Sequence, residues 1–401
     1  MYGFGKFVCQ QTSAPLGRGC SIGVIKGAYI CKHMNHYKYC SIFCKLISFI
    51  ADINSLDVLA MAAEKRKLEE VIISLREENN KLKCEQMHLQ GSLSNKSSMR
   101  YDNLKTEEFK YYTGFSSATF NVIYQFLVPV DEPFEYSKNV SSLRILSMKD
   151  QLLFVLIKLR QNFDFKQMSR LFGISPQDCS VIFSNWINFM FYHFGSVPIW
   201  PDRSIIIDKM PQKFKEEFPT TLVIIDGAEV KIQKPSSLTK QSQFYSDYKF
   251  STNLKGLVGI DPRGSIIFAS MLFSGSISDN DITHQSGFFK ILKEMIKEGR
   301  IHEGDGVMAE KGFRIENDLE KIGLKLNMPP FAPASGQMKT SEVKMTEKVA
   351  IHRVHVERAI ARVKKFKIMD NRIDLSLFSA INQIWFVCCF LTNFMPFLIQ
   401  D

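Results

Sequence analysis

Asp226, Asp279, Glu310 and Glu357 lie far apart in the second half of a 401-residue chain, each in a setting that suits a carboxylate held for chemistry. Asp226 closes the apolar run Thr221-Leu222-Val223-Ile224-Ile225, and Glu310 closes Val307-Met308-Ala309. Both read as acids delivered at the ends of buried strands. Glu357 sits in the helical stretch from Ala350 to Ile360, one turn beyond Arg353 on the same face. Acids drawn together from such distant points repel one another unless divalent cations neutralise them, and that combination favours metal-assisted attack on a phosphodiester. Each acid alone also has a structural reading. Asp226-Gly227 and Asp305-Gly306 are common turn dipeptides, in which the aspartate only caps a turn.

The elements that must position these acids follow from pattern. Strand-like runs appear at Thr221–Ile225, Val230–Gln233, Leu254–Ile260 and Ile266–Phe273. A helix is expected over Phe288–Lys297, then the Val307 strand, then a helix near Ile315–Ile322. Strands first and alternating elements afterwards suit an α/β core with a mixed sheet and flanking helices. Upstream, Ser147 is placed to cap a helix through Gln151–Arg160. Phe165 to Phe172, Gly173, Ser175 and Pro176 then read as helix, glycine turn and a second capped helix, a helix-turn-helix pattern. That second helix runs through Val181, Ile182, Trp186, Ile187 and Phe191, so much of it belongs to a core.

Met61, Leu68, Leu75, Leu82 and Leu89 repeat at heptad spacing, with Ile72, Asn79 and Gln86 at the complementary positions. Charged neighbours such as Glu69, Glu70, Arg76, Glu77, Glu78 and Lys81 complete a coiled-coil surface, and the core Asn79 favours a parallel homodimer. The net charge of +10 suits a polyanionic partner. Ten Lys and Arg fall between Lys339 and Arg372, beside Glu357, against Glu342, Glu347, Glu357 and Asp370. The nine cysteines form no disulfide framework. Cys31, His33, His36, Cys40 and Cys44 crowd together with zinc-type ligands, but their spacing fits no standard finger and they read as unstructured thiols. The uncharged tail from Leu375 to Gln400 is long enough for a membrane span, yet Asn382, Gln383, Thr392, Asn393 and Pro396 interrupt it, and no membrane association is expected. No Gly-rich phosphate loop, Ser-His-Asp order or dinucleotide fingerprint competes with the acids.

Six segments, in order, carry a resemblance: Val223 to Glu229, Lys234 to Ser237, Tyr245 to Lys249, Gly275 to Ile282, Val307 to Phe313 and His352 to Arg358. They resemble the successive motifs of DDE-superfamily transposases of the Harbinger, or P instability factor, type. The resemblance covers residues from about 100 to the C-terminus. It implies an RNase H-like nuclease core preceded by an all-α helix-turn-helix domain. It also implies DNA as substrate and two divalent metal cations, Mg or Mn. Carried over by position, Asp226 would be the first triad acid, bridging both ions, and Glu357 the third, while Asp279 would be an auxiliary metal ligand. Glu310 stands where the family motif has aspartate (Ala309-Glu310-Lys311-Gly312-Phe313), and its extra methylene puts cleavage and strand transfer in question. Arg353, Arg358 and Lys364 would contact DNA phosphates. The tail would be a buried helix of the core.

The expected organisation is an irregular N-terminal region over 1–60, a coiled coil over 61–92, a helical helix-turn-helix domain over 100–200 and an RNase H-like nuclease over 219–398. Some relatives carry an N-terminal THAP zinc module, whose ligand pattern this chain lacks. Two functions lead: a nuclear, metal-dependent DNA endonuclease, or a catalytically impaired, domesticated transposase that binds DNA or proteins; a helical scaffold that dimerises through its zipper ranks last, because it leaves the acids unexplained. A second DNA-binding protein as partner is left open.

Overall fold

Ile22-Gly23-Val24-Ile25 is rich in β-branched residues, and it pairs as β1 (Ile22–Ile25) with β2 (Ala28–Cys31) in an antiparallel register that sets Ile22 opposite Cys31. The computed structural model describes residues 22–25, 28–31, 64, 67–83, 98–128, 146–237, 244–246, 251–331 and 338–399. His33, His36, Cys40 and Cys44, and with them the zinc question, lie outside these residues. The chain divides into two compact units, Met1–Gln86 and Met87–Asp401. In the first unit a helix, α1, spans 67–83. Its heptad leucines Leu68, Leu75 and Leu82 are 58%, 56% and 58% exposed. They are therefore not spent on a core of α1's own unit among the described residues. Met61 and Leu89, the outer members of the repeat, fall outside them.

The second unit opens with α2 (Thr106–Thr113), α3 (Ser117–Leu127), α4 (Met148–Gln161), α5 (Phe165–Phe172) and α6 (Pro176–Gly195). Ser147 caps α4, its hydroxyl accepting from the Asp150 amide at 3.1 Å and donating to the Asp150 carboxylate at 2.8 Å. Beyond its first turn α4 is buried on every side, as the central helix of a bundle must be. Gly173, at φ 68, ends α5 in the left-handed region, and Ser175 caps α6 with Pro176 in its first turn. The expected helix-turn-helix is thus formed. Ile182, Trp186 and Ile187 are buried while Gln177, Ser180, Ser184 and Asn188 remain exposed, so α6 presents a polar stripe as well as a core face.

Two short helices, α7 (Arg203–Asp208) and α8 (Gln212–Glu217), lead into the sheet. Its strands are β3 (Thr221–Lys231), β4 (Tyr245–Ser246), β5 (Ser251–Ile260), β6 (Ile266–Ala269), β7 (Phe273–Ser274), β8 (Gly306–Met308) and β9 (Lys325–Asn327). The order is β4-β5-β3-β8-β9, with β6 and β7 also on β5. β3 and β5 are antiparallel, whereas β8 runs parallel to both β3 and β9, so the sheet is mixed. Helices α9 (Asp279–Gln285), α10 (Phe288–Lys297) and α11 (Glu316–Glu320) alternate with the later strands. The chain closes with α12 (Thr340–Lys364), α13 (Lys367–Asp370) and α14 (Ile381–Leu391).

Side-chain alternation along β3 divides the core. Val223 and Ile225 join Leu257, Phe288, Leu292 and Phe313 on one face, while Ile224, Ala228 and Val230 face the other with Val356, Val363 and Trp385. That second cluster is continuous with the helical bundle, because Phe194 of α6 stacks on Phe390 of α14 at 4.1 Å and 5°. The apolar tail is therefore packed against α6, with the Trp385 indole donating to the Ser270 carbonyl at 3.0 Å.

Two expectations are corrected. Thr221–Ile225 and Val230–Gln233 are not separate strands around a turn: β3 runs straight through Asp226-Gly227, which pair with Val258 and Leu257 of β5. Pairing alongside β5 keeps both residues extended, so the dipeptide has no turn to make. Ile266–Phe273 in turn breaks into β6 and β7, since the Ser270 hydroxyl accepts from the Leu257 amide at 2.8 Å and interrupts the ladder.

Candidate active site

Asp226 lies in mid-strand, at the point of β3 where full burial gives way to partial exposure. The Gly227 amide donates to its carboxylate at 2.8 Å. Burial pushes its pKa up to about 6; the Gly227 amide and Arg353 pull it down, and Glu310 and Asp279 push it further up.

Gly227 matters for what approaches it. A Cβ there would lie 2.8 Å from Cε of Lys255 and 3.1 Å from Oδ1 of Asp279. Gly312 borders the same carboxylate, since its Cβ would stand 2.8 Å from Oδ2 of Asp279. Asp279 thus occupies a slot between two glycines. It opens α9 behind the Ser278 cap, and Lys255 of β5 reaches it at 2.6 Å.

Glu310 follows the end of β8 by two residues and Glu357 projects from α12; their side chains are 52% and 49% exposed. Arg353, 19% exposed, stands among three of the acids. Its guanidinium is 2.9 Å from Glu357, 3.5 Å from Glu310 and 3.9 Å from Asp226. All four expected acids line one cleft of about 410 Å³, with Glu229, Lys255 and Lys364 also on its wall. Among the described residues, no three His, Cys, Asp or Glu side chains are grouped as ligands of a single metal ion.

The three expected phosphate contacts separate. Lys364 lines the cleft, Arg358 is exposed on α12, and Arg353 is turned inward to the acids. Lys255 and Glu229 were not anticipated. They face each other across the β3–β5 register, and a lone lysine amid the apolar residues of β5 was the available signal. His352, from the last motif, packs structurally: it is buried against the Phe214 ring at 4.2 Å, with its Nδ1 2.9 Å from the Lys348 carbonyl.

Residues 225–393 match the family model of the DDE superfamily endonuclease. Residues 144–196 match that of the helix-turn-helix of DDE superfamily endonuclease. No curated protein and no solved structure matches the chain. The first span begins one residue before Asp226 and contains all four acids, and the second covers α4 to α6. Endonucleases of this superfamily generally use divalent metals. An α/β core with a mixed sheet, an acid-lined cleft and a preceding helix-turn-helix, each coinciding with one of these matches, make residues 144–196 and 225–393 the helix-turn-helix and endonuclease regions of a DDE-superfamily transposase.

Proposed function

We propose that this chain is a transposase-derived DNA endonuclease of the Harbinger, or P instability factor, type, with an RNase H-like core and Mg or Mn as cofactor. The observation that carries this reading is the meeting of acids from β3, α9, the end of β8 and α12 on one cleft. The donor set fits such a cofactor. It consists of carboxylate oxygens, the ligands hard divalent cations take, and the Asp226 carboxylate is largely withdrawn from water. Asp226, Glu310 and Glu357 would hold the metal, with Asp279 as an auxiliary ligand. When bound, the metal activates water or a DNA 3′-hydroxyl and stabilises the leaving oxygen.

The chain's own residues supply position and charge. Asp226 is fixed by the β3–β5 ladder and the Gly227 amide, so its carboxylate needs no reorganisation. The glycine slot and Lys255 orient Asp279. Arg358 and Lys364 attract the DNA backbone beside the cleft. The exposed leucines of α1 pair two copies of the chain through a coiled coil, with Asn79 setting a parallel register; a monomeric mass in sedimentation would remove this dimer. Action on chromosomal DNA would require the protein to enter the nucleus.

The test is nicking of duplex DNA in Mn. Asp226→Asn and Glu357→Gln are each expected to lower the rate by ~10³-fold or more, equivalent to about 4 kcal/mol of transition-state stabilisation. Unchanged rates would remove the nuclease. One observation favours the second reading, a domesticated DNA- or protein-binding factor: Glu310 is half exposed on a longer side chain, and its ion-pair partner is Arg353. Activity confined to a Glu310→Asp variant would select it, and activity in both forms would select the enzyme.

A further inference from the structure

Three carboxylates from three separate elements meet on one cation, and that cation is part of the chain. Arg353 reaches Glu357, Glu310 and Asp226 at 2.9, 3.5 and 3.9 Å. It is largely buried and sits one turn from Glu357 on α12, so it is not a surface arginine free to wander. Lys255 plays the same part for Asp279 at 2.6 Å. Clustered anions must be neutralised by something, and here these two side chains pair with them. A carboxylate oxygen directed at a guanidinium offers the same lone pairs that a divalent ion takes.

We propose that Arg353 is the resident counter-ion of the acidic cleft, and that metal loading is an exchange: the metal takes the carboxylates and the guanidinium is released toward the cleft and the DNA strand. The proposal rests on the metal-dependent reading above. It resolves the double placement of Arg353, which is paired inward in this structure and expected at DNA phosphate from the sequence. Arg353 is a positioning residue until metal arrives and a phosphate contact afterwards, so cofactor and substrate binding support each other through one side chain.

Mn binding by calorimetry on the full chain, together with phenylglyoxal labelling of Arg353 read by mass spectrometry, tests the exchange without recourse to activity. Removal of the competitor in Arg353→Gln should tighten Mn about tenfold. It should also lower the metal-free melting temperature and enlarge the shift that Mn produces. Arg353→Lys, which keeps the charge but not the forked geometry, should fall between, and it serves if Arg353→Gln does not fold. Lys364→Gln, which removes a charge from the same cleft, controls for net charge and should change Mn affinity by less than about threefold. In the unsubstituted chain Mn should increase Arg353 labelling.

Equal or weaker Mn binding in Arg353→Gln, an equal gain in Lys364→Gln, or labelling unmoved by Mn would each overturn the exchange. These failures differ from failure of the metal reading itself, which would show as no Mn binding in the unsubstituted chain, or as binding indifferent to Asp226→Asn.

Discussion

Gly312 has no side chain, and the reason lies thirty-odd residues earlier in the sequence: Oδ2 of Asp279 fills the place its Cβ would take. Because Lys255 holds that carboxylate at 2.6 Å, it cannot simply swing away. Gly312→Ala is expected to displace Asp279, at a cost of about 1–3 kcal/mol in stability. Nicking should fall with little change in DNA affinity, and kinetics combined with a DNA-binding titration would separate the two. Wild-type nicking in Gly312→Ala would show that Asp279 is not needed where it stands. The acids themselves were legible in sequence because each of Asp226 and Glu310 closes an apolar run, and burial of such a run fixes where the following carboxylate emerges. Lys255 stands out as a lone lysine in β5, but what it pairs with was not legible. Its partner is chosen by the β3–β5 register and the entry of α9, neither of which leaves a local trace in the sequence. The pairing of Arg353 with Glu357 follows from helical spacing, but its reach to Asp226 and Glu310 depends on tertiary packing.

At the scale of elements, α4 carries a buried lysine in its last turn. Lys158 donates to the Phe163 carbonyl at 2.6 Å and to the Asn162 side chain at 3.3 Å, with the Phe165 ring 5.0 Å away. Burial lowers its pKa to about 8, against the pull of Asp374 and Asp164. The folded protein sheds this proton near pH 8 and the unfolded chain near 10.5, so the unfolded state binds more protons between those values and stability rises with pH across that window. The contribution is at most ~3 kcal/mol. Chemical denaturation at pH 7.5 and 9.5 should show this rise in the unsubstituted chain and its loss in Lys158→Met. An identical slope in both would mean that the ammonium is not held as the structure has it. The capping serines, Gly173 and Pro176 marked the boundaries of α5 and α6 because caps are local chemistry. β3 was misread for the complementary reason: Asp226-Gly227 has turn composition, and only the presence of β5 alongside makes it strand.

At the scale of the molecule, the helical bundle and the sheet do not have separate cores. Phe194 and Phe126 of the bundle meet Phe390 of α14, and the apolar cluster runs on to β3. Trp186 in α6 and Trp385 in α14 report on the two sides. Unfolding should be a single transition in which both change together. Phe390→Ala should lower it by about 3–5 kcal/mol without splitting it. Two resolved transitions, followed in variants that retain one of these tryptophans, would show that the halves unfold independently.

That shared aromatic seam would make the proposed nuclease a caliper. If the stripe on α6 is what grips base pairs, the offset from those bases to the severed bond would be set by stacked rings instead of by a tether. Moving the cut by a few nucleotides would then call for recutting the seam itself, which inserted loop residues cannot do.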